Sequence, residues 1–164
     1  MRKSLRLTEA IIAAALGVLA LGATAALADS PHFITASASI DNAGNLVCSF
    51  KEAGLGTTVT TEAVTCSADA TAVYACLNGG GNHPKAANKA TVSGPVSGGG
   101  NFPVRNGQTT GSITVAPPGP GSFSCPSRQT LVLASISYTN IVLMGAAGDT
   151  ANVPGTLSKT FFNV

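Results

Sequence analysis

The chain has 164 residues, of which only 10% are charged, and its 9 basic and 7 acidic side chains leave a formal net charge of +2. Average globular chains carry about a quarter charged residues, so this surface is built from Thr, Ser, Asn and Gly, which argues against a cytosolic enzyme. The weak net charge gives no electrostatic case for nucleic acid or an acidic membrane as partner.

The first segment sets the compartment. Arg2, Lys3 and Arg6 precede an apolar run at residues 10–28 that ends in Ala26-Leu27-Ala28, the order of a secretory signal peptide over residues 1–28. An uncleaved anchor is the alternative, since the run approaches a bilayer span of roughly 20 residues; its Ala and Gly content and the small-x-small ending favour cleavage. Removal of this leader takes away three basic residues and one acidic residue, leaving six of each and a net charge of zero. Residues 29–164 are then expected to form a single exported β-sandwich domain with no membrane attachment.

Strand patterns follow one another along that region. "HFITASASI" alternates with Ile34, Ala36, Ala38 and Ile40 on one face, and "DNAG" supplies a turn. Leu46, Cys48 and Phe50 share a face of the next strand. Further strands are expected at 59–66, 71–77, 89–96, 102–105, 111–116 and 130–143, with a closing strand at 159–164. The run at 130–143 is the most apolar and is expected to be central. Helical periodicity is lacking after the leader. Strands with turn signals every 8 to 12 residues or so predict an all-β fold, an immunoglobulin-like sandwich of about 7–9 antiparallel strands, with a barrel as the alternative.

Cys48, Cys66, Cys76 and Cys125 all follow the leader, so an oxidising compartment makes them two disulfides, for which three pairings exist. Antiparallel pairing of "NLVCSF" with "VTTEAVTC" about Thr57 sets Cys48 opposite Cys66, which favours Cys48–Cys66 with Cys76–Cys125. The same register brings Glu52 towards Glu62 on the surface of that hairpin.

"GGGNHP" at 79–84 returns as "GGGNFP" at 98–103. Gly, Asn and Pro are good turn residues, so both copies are expected to be turns, carrying Asn82, His83, Lys85, Arg105 and Asn106 as candidate binding-loop residues. A repeat of stacked loop-strand units on one side of the sandwich is the alternative. His83 has no CxxC, HxH or HxxxH partner for zinc, the glycines lack the following Lys and Ser/Thr of a phosphate loop, and no GxSxG elbow selects a nucleophile. His32 is expected to be exposed and idle. Glu52 and Glu62 in a cleft are what a glycosidase would need, but tryptophan is absent and aromatics are few. No catalytic, cofactor-binding or metal-ligating residue is therefore assigned.

At "CSFKEAGLG", "ATAVYACLNGGGNHPKAANK" and "CPSRQTLVLASISYTNIVL" the chain resembles a group of small secreted proteins of filamentous actinobacteria to which no activity is assigned. The resemblance spans most of residues 32–164 and implies secretion and a β-domain. The expected function is a non-enzymatic extracellular structural or binding module, free or cell-wall associated, whose partner is an extracellular protein or wall component. The alternatives are an inhibitor acting through "PPGPGSFSCPS" and, last, a hydrolase.

Overall fold

Alternating side chains place eight antiparallel strands in two packed sheets among the residues that the computed structural model describes, 30–79 and 88–164. They are β1 (His32–Ile40), β2 (Leu46–Ala53), β3 (Thr61–Asn78), β4 (Lys89–Pro103), β5 (Gln108–Val115), β6 (Gln129–Gly145), β7 (Thr150–Val153) and β8 (Leu157–Thr160). One sheet has the order β1-β2-β5; the other runs β4-β3-β6-β7, with β8 also on β6. The result is a sandwich with no closed barrel, and β6 is central as its apolar sequence predicts. The expected leader and the connection carrying Asn82, His83 and Lys85 lie outside the described residues.

The core forms where the inward faces of the sheets meet: Leu46, Cys48 and Phe50 of β2 against Val64 and Cys66 of β3 and Ile136 and Tyr138 of β6. Burying such side chains contributes about 1.5–3 kcal/mol each. Phe50 sits between two edge-to-face rings, Phe33 at 5.9 Å and Phe102 at 4.9 Å. Phe102 reaches that position because Gly111 offers no β-carbon, which would overlap the ring.

Several local expectations give way to sheet geometry. β1 carries a bulge between Phe33 and Thr35, and a bulge shifts the alternation by one residue. Phe33 therefore joins Ala36, Ala38 and Ile40 against the core, while Ile34 is 48% exposed. The expected strands at 59–66 and 71–77 are one continuous β3. "GGGNFP" is not a turn: Gly98 to Pro103 pair residue by residue with Cys66 to Thr61. Its glycines serve close approach, since a β-carbon on Gly98 would lie 3.2 Å from the Thr114 carbonyl oxygen across the corner to β5.

No β2–β3 hairpin forms; β2 pairs only with β1 and β5. Cys48 and Cys66 are nonetheless bonded, Cα–Cα 6.5 Å, because both point inward from opposite sheets. Cys76–Cys125, Cα–Cα 5.6 Å, ties the end of β3 to the Pro-rich segment before β6. β4 is an edge strand, and Pro95 stands opposite Asp69 near its middle. A proline fits a paired strand only where its nitrogen faces away from the neighbour.

The "DNAG" turn forms as expected. Asp41 Oδ1 accepts from the backbone N–H of Ala43 and Asn45, and Oδ2 from the Asn45 side chain. Tyr138, wholly buried, donates its hydroxyl to the Gly44 carbonyl at 2.7 Å; burial pushes its pKa up to about 12. Tyr138→Phe is expected to cost about 1–2 kcal/mol, because the Gly44 carbonyl loses its partner without a large cavity forming. Thermal unfolding checks this; a variant as stable as the parent would show that the bond contributes nothing.

Candidate functional site

Of the two glycine-rich motifs, "GGGNFP" lies within β4, while "GGGNHP" beyond Gly79 lies outside the described residues. The turn carrying Arg105 and Asn106 follows the C-terminal end of β4, roughly 45–50 Å of strand away from Lys89 at its start. Arg105 and Gln108 exchange backbone hydrogen bonds of 2.8 and 3.1 Å. Asn106 and Gly107 between them have φ of 52° and 70°, the two-residue Asn-Gly turn that suits a twisted hairpin. Arg105 lines an open depression with Lys51, Pro103 and Thr110. His32, at the start of β1, is exposed and its Nδ1 bonds the Ser30 carbonyl at 2.8 Å.

A different cluster lies at the same end of the sandwich as Arg105. Glu52 and Glu62 were expected on a hairpin surface, but they are 0% and 5% exposed. They approach each other because the end of β2 and the start of β3 face one another across the core, not because they share a hairpin. Asp149, on the turn between β6 and β7, completes the group. Glu62 Oε1 accepts the Ala146 backbone N–H at 2.6 Å. Both oxygens of Glu52 and both of Asp149 are buried without a hydrogen-bond partner among the described residues.

Gly145 locates the cluster. The position a β-carbon would take there is 2.5 Å from Asp149 Oδ1 and 3.0 Å from Glu52 Oε1, so 2.5 Å plus 3.0 Å bounds the separation of the two oxygens at 5.5 Å. The turn is held by Gly145 N–H on the Asp149 carbonyl and Gly148 N–H on the Gly145 carbonyl, both 3.0 Å. Burial, then the negative charges of Asp149 and Glu62, push the Glu52 pKa up to about 7, with His32 acting weakly in the opposite sense. A buried carboxylate without donors is unfavourable as a bare anion and draws positive charge. Glu52 is closed to solvent, whereas the two acids of a glycosidase flank an open substrate cleft.

The Asp149 contribution carried no signal in the sequence, since an acid in a Gly-Asp turn is ordinary turn chemistry. Among the described residues no three or more His, Cys, Asp or Glu side chains are grouped to hold a metal ion, and no helix is long and apolar enough to cross a membrane. No protein-family model, curated protein or solved structure matches the chain.

Proposed function

We propose that this protein is a secreted, non-enzymatic β-sandwich that acts outside the cell as a structural or binding module, with an extracellular protein or a cell-wall component as partner. The observation that carries the reading is the pair of disulfides, one of them wholly enclosed in the core. Structural disulfides belong to oxidising compartments, and the leader-like residues 1–28 and the resemblance to small secreted actinobacterial proteins agree. The strand order supports an immunoglobulin-like sandwich in which the fourth strand lies on the opposite sheet. It departs from antibody domains in that the inter-sheet disulfide joins the second and third strands. The surface offered for contact is the Arg105–Asn106 turn with Lys51 beside it, a polar patch on a rigid scaffold.

Mass spectrometry of native protein from medium, wall and membrane fractions tests this. The expected species begins at Asp29, carries two disulfides and is found in the medium or wall; four free thiols inside the cell would overturn the reading.

One observation favours a second reading, inhibition of another protein through "PPGPGSFSCPS", residues 117–127. That segment is pinned by Cys125, by the Tyr74 hydroxyl on the Pro118 carbonyl at 2.7 Å, and by Phe123 N–H on the Pro120 carbonyl at 3.1 Å. A loop fixed before binding loses less entropy on contact. Stoichiometric inhibition in a serine-protease titration would favour it over the module.

A further inference from the structure

We propose that Glu52 and Asp149 form a calcium site at the end of the sandwich where β2 stops and β6 turns into β7. Four carboxylate oxygens from two side chains are buried there, and none has a donor among the described residues. They come from opposite sheets and converge over Gly145, where a β-carbon would stand 2.5 and 3.0 Å from one oxygen of each. Two anions enclosed in this way repel each other and have lost their water, so the arrangement calls for a cation between them.

The ligand set selects the cation. Carboxylate oxygens suit hard divalent ions and give zinc or copper neither thiolate nor imidazole, and all four cysteines are in disulfides. Calcium accepts irregular, bidentate carboxylate ligation and completes its shell with main-chain carbonyls and water. Magnesium demands a regular octahedron and keeps several waters, which an enclosed pair of carboxylates accommodates poorly. The two side chains supply four of the roughly six to eight oxygens that calcium takes, leaving main-chain carbonyls and water to complete the shell, and Glu62, held by the Ala146 N–H, adds negative charge nearby. Extracellular calcium modules bind at about 10⁻⁴–10⁻³ M, and this site belongs in that range.

The test uses disulfide-intact protein freed of metal with chelator, followed by thermal unfolding and calorimetric titration with calcium chloride at about pH 8, well above the ordinary carboxylate range. The melting temperature of the parent is expected to rise and saturate with calcium, and to rise far less with magnesium. Asp149→Asn, on the turn, and Glu52→Gln, in the core, are each expected to weaken binding roughly tenfold or more. Gly145→Ala keeps both carboxyl groups in the chain but puts a β-carbon 2.5 Å from the present position of Asp149 Oδ1, so that oxygen must move away from Glu52, and the substitution is expected to abolish the response. No calcium effect on the parent up to about 10 mM, or an equal effect on parent and Asp149→Asn, would overturn the proposal.

Discussion

Reduction of both disulfides is expected to unfold the protein at about 37 °C, and removal of either one to cost about 3–4 kcal/mol. The bonds close loops with sequence separations of 18 and 49 residues. Loop entropy alone gives about 3 kcal/mol for the first and about 4 for the second. Cys48–Cys66 also fills the middle of the core beside Leu46 and Phe50, so Cys48→Ala/Cys66→Ala leaves a void worth about 1 kcal/mol more. The two losses should therefore be similar, and together, at about 8 kcal/mol, they fall within the 5–15 kcal/mol that is a whole domain's net stability. Urea unfolding of the two double variants and of the reduced parent measures this. A Cys48→Ala/Cys66→Ala variant as stable as the parent would show that packing alone joins the sheets.

In chelator, the protein is expected to lose stability as pH rises, by about 2–3 kcal/mol between pH 4.5 and 7. The Glu52 carboxyl is raised to about 7 in the fold, by burial first and then by Asp149 and Glu62, from an ordinary value of 4.5. Between those values the folded protein keeps a proton that the unfolded chain has released. The contribution is whole below about pH 4.5, falls as pH rises through about 7, and is level above it. Asp41 acts in the opposite direction. Its carboxylate is held below its ordinary 3.8 by the Asn45 side chain and by backbone N–H groups, so its contribution is lost on acidification below that value. Stability should therefore peak near pH 4–5. Glu52→Gln is expected to flatten the neutral limb, and an unchanged slope in that variant would assign the effect elsewhere.

Alternation made the sheets legible in the sequence. Leu46, Cys48 and Phe50 face inward as read, and the apolar run at β6 is the central strand. The disulfide pairing was also legible, but for a reason the fold does not use: Cys48 and Cys66 meet across the core and not along a hairpin. Local chemistry failed where tertiary pairing overrode it. Gly98 to Asn101 have turn composition, yet β3 continues opposite them and holds them in the sheet. The β1 bulge exchanged Ile34 for Phe33 in the core, a shift that no alternation pattern announces. The carboxylate cluster was half legible: Glu52 and Glu62 were paired, but a surface was assumed, and the local β6–β7 turn brings Asp149 to them only because the long-range pairing of β3 with β6 sets Gly145 opposite Val64.

Pro95 governs what becomes of this molecule when many copies share a small volume. An unpartnered strand flank is a template on which further chains can stack into fibres, and β4 is fifteen residues long. One missing N–H interrupts that template at its middle, so a neighbouring chain finds two short stretches of ladder in place of one long one, and polymer growth stalls at its first step.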